Sequence, residues 1–209
     1  MTISARTALV AASGALSVGL AFAAASRAEA PAAAPRYTAD GKMEFPKDYR
    51  TWVYLSTGMD MSYSENSGQG PDQHIFDSVF VNRAAYDAFQ KTGHWPDKTV
   101  MVLEVRKGAT KGSINKHGQF QTDRLGAEVH VKDEARFKAT GGWAFFGFGD
   151  EQPAKMTNPG AGCIRCHEGH AAVDTTFVQF YPMLLPIAKA KNTLSANYLK
   201  DEAEGAAVK

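Results

Sequence analysis

An α+β fold, an antiparallel β-sheet of about five strands with a few helices in one domain, is predicted by three features of the sequence. Short runs of β-branched and aromatic residues recur along the chain, bounded by Gly, Asn, Asp and Ser connections. The strand–helix–strand rhythm of a parallel sheet is missing. The chain has 209 residues, enough for one domain with a substantial core.

The elements follow in order. Met1–Arg6 is short and basic, Thr7–Ala25 is apolar, and Ala28-Glu29-Ala30 fits the small-x-small cleavage rule. Residues 1–30 therefore read as a signal peptide cleaved after Ala30; Ser13, Gly14, Ser17 and Gly19 interrupt the run and argue against a membrane anchor. Pro31–Arg36 reads as a Pro/Ala linker, residues 37–188 as the folded domain, and 189–209 as a helix fading into a loose C-terminal tail. Phe45–Arg50 predicts a short turn or helix start, Thr51–Leu55 a strand, and Met59–Asp72 a long loop. His74–Val81 is a second strand. Asn82 is placed to cap a helix over Arg83–Thr92 that buries Ala85, Ala88 and Phe89 and ends at Gly93. After a turn at Trp95–Lys98, Thr99–Val105 is the clearest strand: Met101, Leu103 and Val105 face one way, and Val100, Val102 and Glu104 the other. Gln119–Thr122, Gly126–Lys132 and Gly141–Phe148 are further extended pieces, with a helical turn at Asp133–Lys138. A short helix is expected around residue 163, and Phe177, Phe180, Tyr181 and Leu184 then recur at helical spacing.

The chemistry concentrates in Cys163-Ile164-Arg165-Cys166-His167. Two cysteines two apart followed by histidine is the attachment pattern of a c-type haem. Each thiol can add across one vinyl group, and the adjacent imidazole can ligate the iron. Other uses compete on residue type alone. A disulfide leaves His167 unexplained. A zinc site that drew in His170 has too short a spacer, and a thioredoxin-like pair expects a βαβ setting. The leader supports the haem reading, because thiol-bonded haem is assembled outside the cytoplasm; the expected location is the periplasm. These are the only two cysteines, so no disulfide framework exists. The formal net charge is +1, and Arg6, Arg27 and Glu29 of the leader account for it. The remainder is balanced, with no basic run pointing to nucleic acid or to a membrane surface.

The chain resembles the cytochrome P-460 and cytochrome c′-beta family. The resemblance is carried by Lys47–Val53, Thr99–Val102, Glu128 with Val131-Lys132-Asp133, Trp143-Ala144-Phe145, Cys163–His167, and Asp174 through Phe177 to Phe180-Tyr181-Pro182. It implies a sheet with helices, one covalent haem c held by Cys163 and Cys166, His167 as the proximal iron ligand, and a homodimer. Hydroxylamine-oxidising members carry a lysine that cross-links to the porphyrin. The matching position here is Leu103, which has no nucleophilic nitrogen, so the chain looks like the nitric-oxide-binding branch without that bond.

Around the iron, Glu128 resembles a pocket glutamate. Buried beside haem without a cation, its carboxyl is expected to rise, to about 8–9 at the extreme, and it could then donate a proton as an acid–base group. His130 points to the same strand face and is either a distal ligand, a partner of Glu128 or a surface residue. Phe76 and Phe80, with Ser78, are candidates for an apolar distal lid, or else sheet core. Arg165, and less so Arg50, could pair with a propionate. Met59, Met61 and Met183 are possible axial thioethers, while His74, His94, His117 and His170 read as structural or surface residues. Three functions compete: binding of nitric oxide or a similar small diatomic or nitrogen-oxide ligand, oxidation of hydroxylamine or use of peroxide, and electron transfer to an unidentified redox partner protein.

Overall fold

The structure is a computed structural model that describes residues 34–61 and 73–207. The leader, the start of the linker and most of the 59–72 loop lie outside the described residues. Five antiparallel strands form one sheet in the order β1-β2-β3-β4-β5, each beside its sequence neighbour, which is the α+β architecture the patterning predicts. They are β1 (Val53–Met59), β2 (Ile75–Val81), β3 (Val100–Ala109), β4 (Phe120–Lys132) and β5 (Trp143–Phe148). The first begins two residues later than predicted, because Tyr49–Thr51 make a 3-10 turn that closes on the Trp52 amide. The extended pieces at Gln119–Thr122 and Gly126–Lys132 are one strand. The polar residues between them stay in the ladder, which is irregular around Arg106.

Helix α1 (Arg83–Thr92) buries Ala85 and Phe89 and stops where Gly93 takes a left-handed φ of 76°. Asn82 precedes it but makes no side-chain cap. Its Oδ1 instead accepts from the Val100 amide (2.9 Å), and its Nδ2 donates to the Lys98 carbonyl (3.3 Å). Asn82 therefore ties the start of α1 to β3.

The sheet divides two cores. On one face Val100, Val102, Val129, Val131, Phe146 and Phe148 pack with Met43, Phe45 and Tyr49 of the N-terminal segment. On the other, Val81, Phe89, Trp95, Met101, Tyr181, Leu184 and Tyr198 join into a second cluster. The alternation of β3 thus separates two interiors, as a period of two requires.

Helix α2 (Gly162–His170) carries the cysteine motif. Residues 173–184 are not the helix their spacing suggests. They hold a bridge between Val173 and Thr176 and a 3-10 turn at Val178–Phe180, with Tyr181 and Leu184 buried by the irregular path. Nor is the C-terminus a loose tail. Helices α3 (Leu185–Lys191) and α4 (Ala196–Ala207) follow, and Tyr198 is buried in the second core. Around it, Ser195 Oγ donates to the Ala171 carbonyl (2.6 Å), Asn197 Nδ2 donates to that of Glu168 (3.2 Å), and His170 pairs with Asp201 (2.6 Å). These contacts fasten α4 to the end of α2. Among the described residues no helix is long and apolar enough to cross a membrane.

Candidate functional site

A cavity of about 470 Å³ lies between the sheet and α2, within the range of small-molecule and cofactor sites. The helix explains one wall. Residues three and four apart on a helix share a face, so Cys163, Cys166 and His167 all come to the cavity, and all three line it. The sheet supplies the other wall through Asp77 and Val79 of β2, Met101 and Leu103 of β3, and Glu128 and His130 of β4. Register places Leu103 directly between Val79 and Glu128. The residues singled out at positions 103 and 128 are therefore cross-strand neighbours.

His167 is held in one orientation. Its Nδ1 donates to the Thr175 carbonyl (2.8 Å), which leaves Nε2 with the lone pair a metal needs. Phe177 and Phe145 flank the ring at 4.2 and 4.7 Å between centroids. Burial holds this imidazole below the usual histidine range, and the Thr175 carbonyl only partly opposes that. The same Thr175 reaches the second histidine, its Oγ1 lying 3.1 Å from His130 Nε2. His130 is buried, stacked on Phe145 at 3.9 Å, and edge-on to His167 at 5.3 Å. Burial, and then His167, hold it well below its ordinary value. His130 thus lines the cavity beside His167 with its Nε2 engaged, and it is not a distal ligand facing His167 across a porphyrin.

Other sequence candidates fall differently. Phe80 is on the opposite face, packed edge-on to Tyr49 at 5.4 Å and joined to the other core. Phe76 shares that face, since it pairs with Arg106 while Asp77 pairs with Val105. Neither forms a lid; strand alternation gives the cavity to Asp77 and Val79 instead. Arg165 is exposed and donates to the Gly160 carbonyl (2.5 Å), and Arg50 bonds Glu104 on the far side of the sheet. Met59, Met61 and Met183 are all exposed, and of the three only Met61 is among the described residues lining the cavity. Glu128 is exposed at the cavity wall, not buried as the sequence reading has it. Asp77 is the carboxyl that burial raises, followed by the charges of Glu128 and Asp60. Sequence reasoning missed Asp77 and Thr175, one a lone acid in a strand and the other a loop threonine, neither in a motif.

The residues fit a haem. The two thiols are unbonded, they share a helix face with an imidazole whose second nitrogen is anchored, and they open on a largely apolar cavity. Among the described residues no group of three or more His, Cys, Asp or Glu comes together to hold a metal ion. The fold and the site define the class: an α+β protein with a largely apolar cavity between its sheet and one short helix. The family model for cytochrome P460 matches residues 46–178, and the chain belongs to that family of haem proteins. No curated protein matches the chain. Helices α3 and α4 lie beyond the matched span.

Proposed function

We propose that the chain is an exported c-type mono-haem protein that binds nitric oxide or a similarly small ligand. In this reading Cys163 and Cys166 would hold the haem through thioethers, and His167 Nε2 would ligate its iron. The observation that carries it is the anchored imidazole: with Nδ1 committed to Thr175, only Nε2 can serve the iron. A haem held there would supply an iron able to bind a small molecule. The chain's own residues do the rest. Phe145 and Phe177 keep water from the His167 side. Val79, Met101 and Leu103 make the sheet wall apolar, and Leu103 can form no nitrogen bond to a porphyrin. Export to the periplasm rests on the leader, and a homodimer on the family resemblance.

A second reading, an oxidoreductase of hydroxylamine or peroxide, is favoured by Glu128 beside Leu103, where an acid–base group could exchange protons with a substrate. Electron transfer draws on Met61 alone. Absorption spectra of the purified protein, ferric and ferrous, with and without nitric oxide, test the proposal. A pyridine haemochrome signal, pigment that survives acid acetone and a nitric-oxide-dependent spectral change are expected. Pigment extracted by acid acetone refutes covalent attachment. Turnover of hydroxylamine or peroxide moves the conclusion to the second reading.

A further inference from the structure

We propose that Asp77, acting with Glu128, selects the ligand by charge, so that the cavity takes small neutral molecules and rejects small anions. The inference rests on the haem reading above and adds to it the class of ligand. Asp77 and Glu128 stand on the same sheet face, on strands separated only by β3, with Leu103 between them. They are the carboxylates among the described lining residues, and no lysine or arginine joins them there. The guanidinium next along the sheet, Arg106, is spent elsewhere. Its Nε donates to Glu104 (2.7 Å) and its Nη1 to the Thr122 carbonyl (2.5 Å). The two carboxylates sense each other, since the charge of Glu128 adds to burial in holding Asp77 above the usual carboxylate range. Negative charge beside an apolar wall raises the free energy of an entering anion and leaves a neutral diatomic untouched.

The test uses holo-protein at pH 7, with azide as the anionic probe and nitric oxide as the neutral one, each titrated by absorbance. In Asp77→Asn/Glu128→Gln, azide affinity relative to nitric oxide affinity is expected to rise about tenfold. Asp77→Glu, which keeps the charge, should leave azide weak. The wild-type protein gives a second reading: azide should bind more tightly as salt screens the carboxylates. Azide affinity unmoved by the double substitution and by salt overturns the inference. So does an equal gain for both ligands, which signals a merely wider cavity. A wild-type protein that lacks haem or refuses nitric oxide refutes the proposed function itself, and the inference falls with it.

Discussion

The two faces of the sheet each hold a carboxylate, and they treat it in opposite ways. Glu104 lies on the face that packs against the N-terminal segment, its side chain 2% exposed. It is bonded by the Tyr49 hydroxyl, by Arg50 and by Arg106. Burial alone pushes Glu104 up. The bonds from Arg106 and Tyr49 and the charges of Arg106 and Arg50 more than reverse this and pull it below the ordinary glutamate value. Asp77, one strand away on the other face, has no lysine or arginine among the described lining residues of its cavity and is pushed up by burial and then by the charges of Glu128 and Asp60. Similar groups in neighbouring strands are thus shifted in opposite directions. The difference is whether cations were folded in beside them.

That contrast can be broken or sharpened at three places. The largest effect belongs to the closed face: Phe146 is 2% exposed, and Phe146→Ala should cost about 3–5 kcal/mol, read by urea denaturation of the holo-protein. Glu104→Gln should cost about 1.5–3 kcal/mol at neutral pH, because charged hydrogen bonds are lost. With the folded value below the ordinary one, the Glu104 contribution is present above about pH 4.5 and is lost as pH falls through the native value. The stability difference between wild type and variant should therefore shrink in acid, and a difference independent of pH would show that packing alone is at work. Asp77→Asn is the smallest effect and has the opposite sign. A carboxyl whose folded value is raised loses stability as pH rises through that value. The variant should melt above wild type at neutral pH and level with it below the ordinary aspartate range. A variant less stable at pH 7 would mean that Asp77 is a structural residue.

Much of this was legible in the residues. The strands announce themselves by alternation, and β3 states which of its side chains share a face. The helix carrying Cys163, Cys166 and His167 follows from motif and length. Alternation, however, does not say which face meets the cavity. Phe76 and Phe80 look like a lid on chemistry alone, and only the register with Arg106 and Val102 puts them on the closed side. Glu104 reads as a polar interruption until Arg50 and Tyr49, more than fifty residues earlier in the chain, are folded onto it. The second turn of structure after residue 191 was hidden because Ala, Lys and Glu promise a helix without showing what it will dock against. Tyr198 is the residue that decides it.

Thr175 holds both imidazoles, and its own neighbours are gripped from afar. Asp174 Oδ2 accepts from the Trp95 amide (3.2 Å), and Thr176 Oγ1 accepts from the Trp95 indole (2.7 Å), across 79 and 81 positions of chain. The pentapeptide supplies the imidazole, but its aim belongs to the whole fold. A fragment containing every group of the motif would hold a pointer without a mount.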